Sequence, residues 1–344
     1  MRWPFPLSPH PDELLSSFLV RSAHRHGLEP YRFCAYHFPD EPLWNRDIDR
    51  SASDALLAAV AKKADLPLGD VVGMTMRRTE VTLGSHGLSG TCPWINTVGV
   101  YHRLRRRWGL QYCTLCLAEA PVLYRSWRLS FVVACRRHMI YLKDACPHCD
   151  APLTIHRQRI SAQLCHACSR PLTTNRDDFR GAPRKLFRTQ SRYEDALNQG
   201  YGEIGAQMVC PTDLFDGVHM LLNLIKPSRL HESDDRRPRG MALEFVRTED
   251  RAETLLQLEM LLAQWPNGFV AVARERHLTQ RSFARWKQPK WLADAVSELP
   301  EGRPRSHASF RHRNALRSQL DVSRRHDAEW RTTRAELLWR AATQ

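Results

Sequence analysis

Apolar residues recur at helical spacing in the opening segment "PHPDELLSSFLVRSAHRHG", residues 9–27, where Leu14, Leu15, Phe18, Leu19 and Ala23 share one side. Acids at its start and Gly27 at its end complete the pattern of an amphipathic helix, with Glu13, Ser16 and His24 toward solvent. A second helix is expected over about 55–64, followed by "DLPLGDVVGMTMRR". That order of helix, polar turn and short apolar helix fits a helix-turn-helix or a plain helical hairpin. Further on, Leu255, Leu258, Leu261 and Leu262 mark a helix over about 250–264 that "WPNG" stops. Two short helical segments broken at "HLTQ" come next, the second basic, again in the order of a helix-turn-helix. Residues 227–240 read as a loop, and the tail after Pro304 carries nine arginines before an expected helix with Leu337, Leu338 and Trp339.

The middle of the chain lacks such periodicity and is patterned by cysteine instead. Seven of the ten cysteines and one histidine form four x2-spaced pairs: Cys113/Cys116, Cys135/His138, Cys146/Cys149 and Cys165/Cys168. Successive pairs are separated by 18, 7 and 15 residues. An x2 spacing puts two thiolates on one tight knuckle, and two knuckles close a tetrahedral zinc site. Sequential pairing gives one site of three cysteines and a histidine, then one of four cysteines; cross-braced pairing fits the same spacing. Sequential pairing is favoured because each ribbon then keeps its own hairpin. Four protein ligands per ion leave no open position, so two structural zinc ions are expected and no catalytic one. His148 and His166 lie inside knuckles that already count four ligands. Cys34, Cys92 and Cys210 have no x2 partner and read as small buried hydrophobes.

Charge adds a candidate partner. The chain of 344 residues has a formal net charge of +14, which points to a polyanion, nucleic acid first. Between residues 98 and 143 Glu119 is the sole acid among many arginines. Arg103, Arg105, Arg106 and Arg107 in "RLRRR" are candidates for phosphate contact, as are Arg281, Arg285 and Lys287 in the later basic segment. The interleaved aromatics Tyr101, Trp108, Tyr112, Tyr124 and Trp127 read as filling for a small zinc core rather than as stacking surfaces. At the start, "MRWPFPLSP" is proline-held and extended. Its Trp3 and Phe5 are either exposed anchors for a protein partner or folded back onto the helices. No run of about 18 apolar residues suggests a membrane span, and no signal-peptide pattern opens the sequence, so a cytoplasmic protein is expected. That setting disfavours structural disulfides.

The fold class expected from these signals is mainly α with small zinc ribbons. A helix-turn-helix-like unit would occupy residues 1–100 and a double zinc-ribbon block 101–172. A polar linker over 173–200 would lead to a C-terminal helical unit, 201–344, with a second candidate helix-turn-helix. An enzyme is the weakest reading, since no Walker or nucleophile motif appears. Asp177, Asp178 and Glu203 would place an acidic triad on a polar linker, a poor scaffold for two metals.

At these residues the chain resembles the TniQ family, the targeting subunits of heteromeric DNA transposons that include TnsD. "PDELLSSFLVRSAHRHG" is similar to that family's opening helix, with Asp12, Glu13, Ser17, Arg21 and Gly27 in matching places. "GLQYCTLCLAE", "SWRLSFVVACRRHMIYLKDACPHCDAPL" and "LCHAC" resemble its double zinc-finger block. The likeness covers about residues 5–172, with a looser match around "TEDRAETLLQLEMLLAQWPNGF". It implies a target-selection adaptor that works either by binding a DNA sequence or by docking on a CRISPR effector with its guide RNA. Such an adaptor recruits the AAA+ transposition regulator. The length favours the compact adaptor type over a long sequence reader, and because compact members associated with CRISPR effectors can form homodimers the resemblance implies a dimer. The alternative is a stand-alone DNA-binding regulator built from zinc ribbons and a helix-turn-helix.

Overall fold

The computed structural model describes residues 2–84, 92–98, 108–173, 180–222, 242–284 and 286–302. Its first helix, α1 (Leu15–Arg25), starts six residues later than the periodicity suggests. Asp12 takes a left-handed φ of 61°. Glu13 then pairs as a bridge with Tyr124, and Leu14 N–H donates to Leu123 O at 2.9 Å. The run 9–14 is thus tied to the middle of the chain before the helix can begin. The expected polar face is also corrected. Glu13 and Ser16 are 1% and 5% exposed. Glu13 accepts from Ser17 Oγ and from Arg21 Nε and Nη2 at 2.8–2.9 Å, while Ser16 donates through N and Oγ to Asp49. His24 is half-buried and hydrogen-bonded to Gln158 O.

Helices α2 (Pro30–His37), α3 (Ile48–Ser51), α4 (Asp54–Ala64), α5 (Leu68–Gly73) and α6 (Arg77–Thr82) follow. Pro30 at the first position presets α2, and Ser53 Oγ caps α4 by accepting from Leu56 N–H. These helices enclose a core of Leu15, Phe18, Leu19, Phe33, Leu56, Leu57, Val60 and Val71. Trp3 belongs to it. Only 4% of that residue is exposed, its ring centroid lies 5.1 Å from that of Phe33, and its backbone N–H donates to Lys63 O. Trp3 is therefore corrected from candidate anchor to core residue, whereas Phe5 is 52% exposed.

The middle block holds α7 (Thr114–Glu119) and the antiparallel pair β1 (Ala134–Cys135) and β2 (Ile140–Tyr141), with Cys135 opposite Ile140. After it come α8 (Arg184–Gln199), the hairpin β3 (Gly202–Ile204) and β4 (Gln207–Val209), then α9 (Pro211–Leu222), α10 (Thr248–Leu262), α11 (Asn267–Glu275), α12 (Gln280–Phe283) and α13 (Lys290–Ser297). Helix α8 corrects the polar linker: most of its residues are polar, but Leu186, Phe187, Tyr193 and Ala196 form a buried stripe. That stripe packs into a second core running from Leu14, just ahead of α1, and Val20 of α1 through Leu117, Phe131 and Val133 to Phe215, Leu258 and Leu292. Closest packing falls at Gly217 of α9, where a Cβ would lie 2.2 Å from Trp291 Cζ2. Among the described residues no helix is long and apolar enough to cross a membrane.

Candidate metal centres

In all four pairs the first ligand's carbonyl accepts the N–H of the residue four places on: Leu117 to Cys113, Met139 to Cys135, Asp150 to Cys146, Ser169 to Cys165. In the last three this bond closes a turn rather than opening a helix. Those acceptor turns close because Met139, Asp150 and Ser169 adopt φ of 57°, 53° and 58°. The left-handed residue folds the chain back so that ligands three apart point to one spot. In the two all-cysteine knuckles an amide also aims at sulfur. His148 N–H donates to Cys146 Sγ and Ala167 N–H to Cys165 Sγ, both at 3.4 Å. Hydrogen bonds to sulfur favour the thiolate, the form that binds metal. The fourth pair is set on a helix, with Cys113 just before α7 and Cys116 in its first turn.

The knuckles meet in sequential order. Cys113, Cys116, Cys135 and His138 form one cluster and Cys146, Cys149, Cys165 and Cys168 the other, all ligand atoms of a cluster within 4.8 Å of one another. Tetrahedral zinc with bonds of about 2.3 Å to sulfur and about 2.0 Å to nitrogen sets S···S near 3.8 Å and S···N near 3.5 Å. Here the S···S separations Cys116–Cys135, Cys146–Cys168 and Cys149–Cys165 are 3.7 Å. His138 Nδ1 stands 3.4, 3.3 and 3.7 Å from the sulfurs of Cys113, Cys116 and Cys135. Disulfides would need about 2.05 Å, and all these cysteines are free. Both donor sets fit a structural zinc ion with every position filled. Their role is to cross-link chain segments, not to offer a coordination site to substrate.

Glu119 completes the first centre and is a residue that the metal-ligand spacing does not reveal. Its Oε1 lies 3.2 Å from His138 Nε2, which fixes Nε2–H as donor and leaves Nδ1 for the metal. Glu119 also pairs with Arg137 at 2.5 Å. The available signal is its position as the single acid in the basic stretch. His148 turns its Nε2 to Pro171 O, outside the cluster, and Cys210 is exposed, not a buried hydrophobe.

The basic stretch serves the fold where it is described. Arg128 is fully buried, its guanidinium 2.5 Å from Asp47 Oδ2, 3.0 Å from Asp49 Oδ2 and 2.8 Å from Asn96 O. Burial raises the Asp49 carboxyl to about 6, with Arg128 opposing the shift. Arg125 pairs with Asp12, and Arg136 with Glu194 of α8. Tyr112 and Trp127 are buried, as core filling requires. Arg103, Arg105, Arg106, Arg107, Arg285, Asp177, Asp178, the 227–240 loop and the arginine-rich tail lie outside the described residues. Arg281 of α12 and Lys287 beyond it are exposed, as are Arg274 and Lys290 nearby.

Around the second centre a seam joins the zinc block to the N-terminal helices. His156 stacks on Trp44 at 5.2 Å and His24 meets Gln158 O at 2.8 Å, while within the zinc block Gln163 Nε2 donates to Leu117 O and Ala118 O of α7. Burial lowers the His156 pKa to about 4, with Arg157 and His166 adding to the shift, and burial lowers that of His24 as well.

Together these features define a mostly helical protein with two closed zinc-binding clusters. The TniQ family model matches residues 4–142, a span containing α1 to α7 and all four ligands of the first centre but none of the second. Over these residues the chain is similar to the TniQ family. No curated protein sequence matches it.

Proposed function

We propose that this chain is a non-catalytic target-selection adaptor of a heteromeric DNA transposon, linking a target-bound complex to an AAA+ transposition regulator. The observation that carries the reading is the TniQ match over residues 4–142, a span that includes α1 and the first zinc cluster. Two closed metal centres are consistent with a scaffold whose work is binding. With Trp3 in the core, the candidate partner surface moves to Phe5 and to Tyr31 and Tyr36 of α2, which are 52%, 64% and 79% exposed. Exposed aromatics on an ordered element are the usual material of interface hot spots. Whether the target-bound complex is a CRISPR effector with guide RNA, and whether the adaptor acts as a homodimer, belong to the same proposal. Its test is co-purification of the chain with an AAA+ transposition regulator, with and without a guide-RNA complex. Binding that Tyr31→Ala with Tyr36→Ala weakens supports the reading; no binding under any of these conditions refutes it.

A second reading, a stand-alone DNA-binding regulator, draws support from the exposed Arg274, Arg281, Lys287 and Lys290 around the α11–α12 turn. This surface predicts duplex binding without any protein partner. Loss of partner recruitment with retained duplex affinity on substituting Tyr31 and Tyr36 would separate the two.

A further inference from the structure

The two centres differ in how their sulfurs meet solvent. In the first, Cys113, Cys116 and Cys135 are buried, and His138 is the only ligand with partial exposure. In the second, Cys149 is exposed and Cys168 partly so, while Cys146 and Cys165 are buried. A zinc-bound thiolate remains a nucleophile, and its reactivity is set by access. We infer that Cys149 is a site of oxidation by hydroperoxides, and that its oxidation expels the second zinc while the first is kept.

The chemistry closes within the cluster. The Cys149 sulfur attacks one oxygen of hydrogen peroxide, the O–O bond breaks, and the departing hydroxide takes up a proton as water. Cys149 is left as a sulfenic acid. The Cys165 thiolate, 3.7 Å away, then attacks that sulfur. An S–S bond forms and the sulfenic hydroxyl leaves, protonated to a second water. Two thiolates have lost two electrons, and peroxide has gained two electrons and two protons. Only Cys146 and Cys168 would then remain to hold zinc, half of the tetrahedral set and too few to retain it.

The loop between the two knuckles carries Ile155, His156, Gln158 and Gln163. These are the residues that contact α1, Trp44 and α7. The second zinc fixes both ends of this loop, so its loss loosens the seam between the zinc block and the N-terminal helices. Peroxide would in this way act on the coupling of the two regions without unfolding the first centre.

The zinc-loaded full chain is titrated with hydrogen peroxide while a chromogenic chelator reports free zinc. One equivalent per chain is expected to leave first, with a Cys149–Cys165 disulfide found by peptide mass spectrometry. Trypsin should then cut after Arg157 and Arg159 faster by about tenfold or more, and thiol reductant with added zinc should reverse both changes. Cys149→His, which keeps a fourth ligand without the exposed thiolate, should hold two zincs and resist release. Should that variant fail to load, alkylation of the zinc-loaded wild type by N-ethylmaleimide decides. Cys149 must react about tenfold or more faster than Cys113, Cys116 and Cys135. Simultaneous loss of both zincs, earlier oxidation of a first-centre cysteine, or no zinc release at peroxide levels that oxidise the exposed Cys210 would each overturn the inference.

Discussion

Acid should weaken the seam between the zinc block and α1 through His156. Its imidazole lies stacked on Trp44, and burial moves its pKa from the ordinary 6.5 down to about 4. Because the folded pKa is the lower one, the unfolded chain binds more protons between these values, so stability rises with pH there. The stability is intact above pH 6.5 and is lost as pH falls toward 4. At pH 5.5 the unfolded imidazole is about 90% protonated and the folded one almost not, a difference worth about 1.4 kcal/mol. The perturbation is His156→Phe, which keeps a ring on Trp44 and removes the titration. Urea unfolding of zinc-loaded protein at pH 7.5 and 5.5 gives the two stability changes. The wild type should lose about 1 to 1.5 kcal/mol more than the variant, a gap that excludes the other histidines common to both. Equal losses in the two proteins would refute the argument.

Metal analysis should find two zinc ions per chain, and Cys146→Ser should lose one of them together with the order of residues 146–168. Glu119→Gln should weaken zinc at the first centre by about tenfold in chelator competition, because Gln offers His138 Nε2–H a weaker acceptor. Arg128→Ala should cost about 3–5 kcal/mol in urea unfolding, since it strands the buried carboxylate of Asp49 and the partly buried one of Asp47. Duplex DNA affinity should fall about tenfold or more between 50 and 200 mM salt, and Arg281→Ala with Lys287→Ala should flatten that slope.

The zinc centres were legible because metal ligation demands particular residues at particular spacings, and Cys-x2-Cys survives any surrounding composition. Sequence spacing left sequential and cross-braced pairing both open; the clustering of Cys113 with Cys135, and of Cys146 with Cys165, decides it. Helix α10 was legible because four leucines repeat at its period, and α8 was not. Its buried stripe of Leu186, Phe187, Tyr193 and Ala196 is thin and sits among arginine, glutamine and serine, so average polarity masked the period. Arg128 illustrates a different limit. Nothing local separates it from Arg136 or Arg137, because its partners Asp47 and Asp49 lie about 80 residues away in sequence, joined only by the fold.

The misplacement of α1's polar face has a consequence for how the regions communicate. A helix with one apolar stripe serves one core, but α1 serves two: Leu15, Phe18 and Leu19 enter the N-terminal core, and Val20, with Leu14 just ahead of the helix, enters the other. Several residues between these stripes are drawn inward as well, and three of them find partners from different regions. Ser16 bonds Asp49 of α3, and Ser17 Oγ accepts from Leu123 N–H ahead of β1. His24 reaches Gln158 beside the second centre. Asp49 in turn holds Arg128, whose guanidinium also binds Asn96 O. A displacement of α1 would therefore break contacts to both cores, to the buried ion pairs and to the zinc loop together. Of these contacts only His24 to Gln158 O depends on the loop of the second centre; the others tie α1, directly or through Asp49, to residues around the first.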